Sequence, residues 1–264
     1  MNKTSSKIAA LSLALVTMAT TTMVAGVTRA ESVMVDPAAA QILQSMTNYL
    51  GNVKQFTVHT ENNIEDILDS GQRVDISVSA SVIISRPNKL RAERTGELLS
   101  QYFYYDGNTL TLYNPDSKVF ASEAAPATIA ETIDFARESL GLMVPVSDLI
   151  YHNAYSLLMQ GVTSAIVVGK SEIDGNVCNH LAFSRPDVDF QVWVMEGDKP
   201  LPCKYVVTDT STPQLLSIST VMSKWNISPS VDNSSFEFVP TKNAEQIKFM
   251  SASTDNLVKS GASK

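Results

Sequence analysis

Apolar residues recur along this chain at two different spacings, and each spacing predicts a different kind of element. Near the start, helical spacing relates five apolar residues: Ala39, Ile42, Leu43, Met46 and Leu50. Asp36 is a typical N-cap, Pro37 suits a first helical turn, and Gly51 ends the pattern. We therefore expect one amphipathic helix between Asp36 and Gly51.

From Phe56 onward the spacing changes to two, which is typical of strands with one apolar face. The clearest example is the stretch 73–82, where Val74, Ile76, Val78 and Val82 alternate with polar residues. Turn residues such as those at 106–107 separate the strands. Further strands are predicted at 90–94, 98–105, 109–113, 118–121, 165–168, 177–184, 188–195, 203–208, 214–225 and 235–239.

The middle of the chain returns to helical spacing. A helix is expected to begin at Pro126 and end at Gly141, and a second helical region runs from about Ser147 to Gln160. A sheet of so many strands must curl to bury its apolar face, and these helices are available to cover it. The element order predicts an α+β fold: an incomplete antiparallel β-barrel of about 11 strands, a strongly curved sheet with helices covering the concave face.

The first thirty residues have the pattern of a cleavable signal peptide. Lys3 and Lys7 give a basic start, the stretch 8–19 is apolar, and small residues precede a cleavage site after Ala30. A membrane-spanning helix is the alternative, but the apolar stretch falls short of the roughly 20 residues that a span needs. We expect one domain at 31–250, a flexible polar tail at 251–264, and export to the periplasm or out of the cell.

Composition narrows the functional class. The chain has 264 residues, of which 44% are hydrophobic, and its formal charge is -7. Without the predicted leader, 17 Lys and Arg stand against 27 Asp and Glu, a net charge of -10. This acidity disfavours nucleic-acid binding, because such proteins concentrate basic residues against phosphate. An ordinary globular domain remains.

The two cysteines, Cys178 and Cys203, suit a disulfide in an oxidising compartment, with two free thiols as the alternative. They fall on the first and third strands of a predicted meander, which places them about 9 to 10 Å apart, beyond the usual span of under ~7 Å. A bridge therefore requires the middle strand to end early or to twist aside.

Residues for catalysis or metal binding do not form a recognisable motif. The nucleophile elbow, the phosphate-binding loop, the dinucleotide fingerprint and the zinc-protease motif are all absent from the sequence. His59, His152 and His180 are far apart, and the acidic residues between Glu61 and Asp69 fit a solvated turn. We expect a protein that is not an enzyme, without cofactor or metal, although a catalytic site without a motif stays open.

Several short segments resemble a known superfamily. RPNKLR at 86–91, DGNTLTLYNP at 106–115 and FEFVP at 236–240 resemble, in order and spacing, the LolA-like periplasmic lipoprotein carriers. HLAF at 180–183, VW at 192–193 and PLP at 200–202 bring the chain still nearer to the uncharacterised periplasmic family called domain of unknown function 2092. The resemblance covers nearly all of the chain after the predicted leader.

The resemblance implies an unclosed half-barrel, lidded by helices, whose apolar cavity receives acyl chains. It also implies that Arg86 is a latch tied to the lid helices; the alternative is a strand-end charge paired with a nearby acid. The candidate cavity residues are apolar positions of the predicted strands and helices: Val74, Ile76, Val78, Val82, Leu110, Leu112, Ile129, Ile133, Leu140, Leu149, Val192, Val194 and Met222.

The leading hypothesis is a periplasmic carrier that holds a lipid or a lipoprotein acyl chain between the curved sheet and the helical lid. The alternative is an envelope sensor or interaction module that binds a protein partner and has a barrel filled by side chains. An open apolar cavity beneath the helices would favour the carrier, and a filled one the interaction module.

Overall fold

One sheet of thirteen strands dominates the computed structural model, which describes residues 34–98, 100–142 and 146–249. The predicted leader at 1–30 and the predicted tail at 251–264 lie outside these residues. The strands are β1 (Met34–Val35), β2 (Gln55–Ile67), β3 (Arg73–Ser85), β4 (Lys89–Gly96), β5 (Gln101–Tyr105), β6 (Thr109–Asn114), β7 (Val119–Ala124), β8 (Ser164–Ile173), β9 (Asn176–Ser184), β10 (Val188–Met195), β11 (Pro202–Asp209), β12 (Ser217–Asn226) and β13 (Glu245–Gln246).

The strand order is β1-β8-β9-β10-β11-β12-β2-β3-β4-β5-β6-β7-β13. All neighbours are antiparallel except the parallel pairs β1 with β8 and β13 with β7. The longest pairing is the central hairpin of β2 and β3, in register from Gln55 opposite Ser85 to Ile67 opposite Arg73. Because β1 and β13 form the two edges, the sheet does not close, as expected for an incomplete barrel.

The predicted number of strands was too low. The two strands missed are β1 and β13, each only two residues long, too short to show an alternating pattern. The predicted strand at 235–239 was wrong: a 3-10 turn, Asn233–Phe236, occupies its start. Phe236 and Phe238 alternate there because they pack against other side chains, without pairing to a strand.

The C-terminal segment packs against the convex face. The ring of Phe238 lies 5.4 Å from that of Tyr104, 5.1 Å from Tyr113 and 4.9 Å from Phe120, measured between centroids. The Tyr113 hydroxyl is 2.9 Å from that of Thr241. These aromatic contacts fix the segment across β5–β7 on the side opposite the helices.

Three α-helices accompany the sheet within the described residues. The first, α1 (Pro37–Asn52), begins as predicted, because the Asp36 carboxylate accepts a hydrogen bond of 2.8 Å from the backbone N–H of Ala38. The second, α2 (Ile129–Glu138), is capped by Thr128. The predicted region from Ser147 to Gln160 is divided into a 3-10 turn, Ser147–Leu149, and a short helix, α3 (Ala154–Met159).

The solid part of the core lies where α1 crosses β8, β9 and β10. The buried stripe of α1, which includes Leu43 and Met46, packs against Leu181, Phe190 and Val192, all at most 1% exposed. Such close packing leaves little room for a ligand beneath this helix. The space between the sheet and the helices lies beyond it, toward β2–β6.

Cys178 of β9 and Cys203 of β11 form a disulfide with their Cα atoms 6.8 Å apart. Cys178 stands opposite Met195, the last residue of the intervening strand β10. The register of β10 against β11 shifts between Trp193 and Val194, which leaves Cys203 without a partner on β10. The bridge therefore passes the end of the middle strand, at a bulge, as its geometry required.

In the part of the chain that the structure describes, every helix is too short or too polar to cross a bilayer.

Candidate functional site

A cavity of about 140 Å³ lies between the concave face of the sheet and the helices. Its floor is formed mainly by β2, β3 and β4, and its other walls come from the end of α1, the middle of α2 and the 3-10 turn that follows. The lining side chains are Leu50, Phe56, Val58, Thr60, Asn62, Ile64, Val78, Ala80, Val82, Leu90, Ala92, Arg94, Gln101, Phe103, Leu112, Ile133, Leu142, Val146, Leu149, Ile150, Pro202, Met222 and Trp225.

Six of the thirteen candidate residues from the sequence lie on this wall. They come from β3, β6, β12, α2 and the 3-10 turn: Val78, Val82, Leu112, Met222, Ile133 and Leu149. Strand alternation and helical spacing select the correct face in each case. A shared face does not by itself decide between a cavity and a packed core.

The other seven candidates lie away from the wall, for two reasons. Leu110, Ile129, Val192 and Val194 are at most 3% exposed and belong to the packed interior. Val74, Ile76 and Leu140 are half-buried, at the far end of β3 and just after α2. Their assignment to the cavity is corrected accordingly.

The wall changes from apolar to polar along the strands. Across β2 to β6, the side chains of Val58, Val82, Ala92, Phe103 and Leu112 lie side by side in register and form a purely apolar row. Two residues further from the α1 end, the next row consists of Met222, Thr60, Ala80, Arg94 and Gln101. The cavity thus has one apolar end and one polar end that carries hydrogen-bonding groups.

Asn62 also lies at the polar end, and residues of the surrounding strands form hydrogen bonds with its side-chain amide. Its Nδ2 donates to the Thr60 hydroxyl at 3.1 Å and to the carbonyl oxygen of Val78 at 3.0 Å, while its Oδ1 accepts from the Thr220 hydroxyl at 2.8 Å. A buried polar network with its partners in place is stable and keeps its side chains in one orientation. These residues form a fixed polar surface next to Arg94.

Arg94 is the single ionisable residue among the described residues that line the cavity. Its Nε is buried without a hydrogen-bond partner in the described residues, and the ion pairs found there do not include it. Burial lowers the pKa of the guanidinium, because the charged form loses hydration. Sequence reasoning missed this residue, although its position four after Leu90 places it on the apolar face of β4.

Arg86 lies at the turn between β3 and β4, which contacts both the end of α1 and the start of α2. Its Nε donates to the carbonyl oxygen of Val53, the C-cap residue of α1, at 3.2 Å. The carbonyl oxygen of the next residue, Pro87, accepts a hydrogen bond of 3.1 Å from Ile129, the first residue of α2. The ion pairs of the described residues do not include Arg86, so its contacts are to helix backbone rather than to an acid.

A side-chain cluster joins α2 to the segment that follows it. The Tyr151 hydroxyl donates to the Asp134 carboxylate at 2.5 Å and accepts from the Arg137 guanidinium at 2.8 Å. Burial and the neighbouring carboxylate raise the pKa of Tyr151 above its ordinary value. The cluster makes α2 and the 3-10 turn one connected cover over the cavity.

Two of the three histidines, His59 and His180, are engaged in local contacts. His59 pairs with Glu61 at 2.6 Å, and His180 lies 2.9 Å from the Gln191 amide oxygen while stacking on Trp193. Within the described ranges, His, Cys, Asp and Glu side chains do not gather in groups of three that could hold a metal ion. The cavity is therefore the site whose chemistry needs an explanation.

Among solved structures, an uncharacterised conserved protein from Thermus thermophilus resembles this chain, with 10% identity, a TM-score of 0.47, and coverage of 80% of this chain and 99% of the other. LprF from Mycobacterium bovis has 12% identity and a TM-score of 0.47, covering 75% and 97%. A LolA superfamily protein from Nitrosomonas europaea has 12% identity and a TM-score of 0.39, covering 76% and 97%. At such identities the likeness concerns the chain path alone.

The sequence itself gives a firmer assignment. No curated protein matches it. The family model described as a predicted periplasmic protein, DUF2092, matches residues 39–250, which is most of the chain. This match confirms the family and the periplasmic location that the sequence motifs predicted. The chain belongs to the DUF2092 family of predicted periplasmic proteins.

Proposed function

We propose that this protein binds a hydrophobic ligand in the periplasm, such as a lipid or an acyl chain, and does so without catalysis. The observation that carries the proposal is the cavity wall, on which all but four of the lining residues are apolar. Burying apolar surface provides binding free energy without any reactive group. Membership of a periplasmic family is consistent with binding in that compartment.

The size of the cavity limits what it can hold in this conformation. A cavity of roughly 150 Å³ accepts one benzene molecule, so about 140 Å³ suits a stretch of about six carbons. Burial of six methylenes contributes about 5 kcal/mol, which corresponds to a dissociation constant of roughly 0.2 mM. Tighter binding of a long acyl chain therefore requires a larger space.

The cover of the cavity is the part that can provide that space. Ile133, Leu149 and Ile150 reach the cavity from α2 and the 3-10 turn, whereas the rest of the wall belongs mainly to the hydrogen-bonded sheet. The first residue of the cover, Ile129, is held to the turn between β3 and β4 by a backbone hydrogen bond to Pro87, and a single bond of this kind is weak. Outward movement of this cover would admit a longer chain, and Arg86 would act as the latch by fixing the turn that carries Pro87 to the end of α1.

An interaction module with a filled barrel is the competing reading. The structure is filled beneath α1 but not between α2 and β2–β6. The cavity therefore favours ligand binding over a partner-binding role.

A direct test measures lipid on the protein and binding to it. The exported protein, purified from the periplasm without detergent, is analysed by native mass spectrometry and by lipid extraction. It is then titrated with cis-parinaric acid, a fluorescent fatty acid whose energy transfer from the two tryptophans, one of them Trp225 on the cavity wall, reports binding. We expect bound lipid or saturable energy transfer. Repeated absence of both would contradict the proposal.

A further inference from the structure

The charge distribution on the cavity wall is uneven in a way that a purely hydrophobic cargo does not explain. Arg94 carries the single positive charge, and Asp and Glu are absent from the lining residues. Arg91, three residues earlier on β4, faces the other side of the sheet and pairs with Glu93. The two arginines of β4 therefore differ. Within the described residues, Arg91 has an acidic partner and Arg94, which faces the cavity, has none.

A half-buried guanidinium whose Nε is shielded from water and unpaired is costly, because it loses hydration without a compensating bond. Burial lowers the pKa of Arg94, which reflects this cost. An anion that enters the cavity would supply the missing partner. The planar guanidinium suits the paired oxygens of a carboxylate or a phosphate.

The distance from the apolar end of the cavity to Arg94 sets the length of such a ligand. Leu90 and Arg94 are four residues apart on the same face of β4, which amounts to about 13 Å. An extended hydrocarbon chain advances roughly 1.25 Å per carbon, given bonds of about 1.5 Å at tetrahedral angles. With the cover moved outward, a tail of about ten carbons would therefore reach from Leu90 to the guanidinium.

We propose that the ligand is an anionic amphiphile whose carboxylate or phosphate pairs with Arg94 and whose tail lies toward Leu50 and Phe56. This inference rests on the proposed function, since it requires that the cavity be the binding site. Gln101, beside Arg94 in the same row, and Thr60, two strands away, provide further hydrogen-bonding groups for the acidic head. The polar row thus gives the cavity a defined orientation for its ligand.

The test compares four probes with the same ten-carbon tail: decanoate, decyl phosphate, decanol and decyltrimethylammonium. Displacement of cis-parinaric acid measures the affinity of each. We expect both anions to bind at least about tenfold more tightly than decanol, and the cation to bind most weakly. The order of decanoate and decyl phosphate then distinguishes a fatty acid from a phosphorylated lipid as the source of the acid group.

Substitutions at Arg94 separate its charge from its shape. Arg94→Gln should weaken the binding of decanoate by about tenfold to a hundredfold while leaving the binding of decanol unchanged. Arg94→Lys should retain part of the affinity for decanoate. Arg91→Gln is the matched control, because it removes the same charge from the opposite face of β4. Thermal unfolding of each variant verifies that it is folded.

Three results would overturn the inference. The unmodified protein could bind decanoate and decanol with equal affinity, Arg94→Gln could weaken the binding of both to the same extent, or Arg91→Gln could weaken decanoate binding as much as Arg94→Gln does. Its failure differs from failure of the proposed function. If decanol and decanoate bind equally well, cavity binding stands and only the acidic head is refuted. If none of the probes binds, the proposed function itself fails.

Discussion

Filling the cavity with a side chain is the sharpest test of where a ligand binds. Ala92 lies in the middle of the apolar row, with Val82 on one side and Phe103 on the other. Ala92→Phe adds one phenyl ring at this position. Since a cavity of roughly 150 Å³ holds one benzene, this ring would occupy most of the available 140 Å³.

The expected loss of binding follows from the same volume. A ligand tail that is displaced from the cavity forfeits about 5 kcal/mol of burial, so we expect cis-parinaric acid to bind at least about a hundredfold more weakly. Stability should not fall, because burial of the new ring contributes about 1.5 to 3 kcal/mol and an aromatic residue suits a strand. Chemical denaturation therefore accompanies the binding titration.

Ser81→Phe is the matched control. Ser81 is exposed on β3 and pairs with Glu93, so its side chain lies on the opposite face of the sheet. The control should bind the probe as the unmodified protein does. If a folded Ala92→Phe variant binds with unchanged affinity, the ligand does not occupy this cavity and the reasoning from its size is refuted.

Three further predictions concern the framework of the site. Replacement of Cys178 and Cys203 by serine opens a loop with a sequence separation of 25, and the loop-entropy relation gives a loss of about 3.5 kcal/mol in the free energy of unfolding; dithiothreitol should destabilise the unmodified protein but not the double variant. The buried Tyr205 hydroxyl lacks a hydrogen-bond partner in the described residues, and burial raises its pKa. The resulting contribution to the free energy of unfolding is fully present below about pH 10, the ordinary pKa of tyrosine, and is lost at higher pH as the folded protein ionises. Tyr205→Phe should raise the free energy of unfolding by about 1 kcal/mol at pH 7 and reduce its decline above pH 10, as measured by urea titrations across this range; a steeper decline would contradict the assignment. Arg86→Gln removes the bond that fixes the β3–β4 turn to Val53, and the Pro87 carbonyl of that turn accepts from the Ile129 amide. Exchange of this amide should therefore quicken by about tenfold in hydrogen-exchange experiments. Unchanged exchange would argue against a latch.

Much of the fold could be predicted from local patterns. Alternation along β3 and β4 determines which side chains share a face, and it placed Val78 and Val82 on the cavity side. The same rule places Arg94 with Leu90 and Ala92, so the charged residue of the site was accessible to sequence reasoning, had the alternation been followed past the last apolar position. Phe238 shows the limit of the rule, because its alternation reflects aromatic packing instead of a strand.

The sequence by itself determined the class of structure, the faces of its strands and helices, the family and the periplasmic location. Only the tertiary structure decided which apolar residues line a cavity: Val82 and Val192 have similar strand patterns, yet α1 packs directly over Val192 while the cover above Val82 leaves a gap. It also decided how Cys178 and Cys203 meet, through a register shift in the strand between them. Packing distances and register depend on contacts between distant segments, and a local residue pattern contains no information about the space between them.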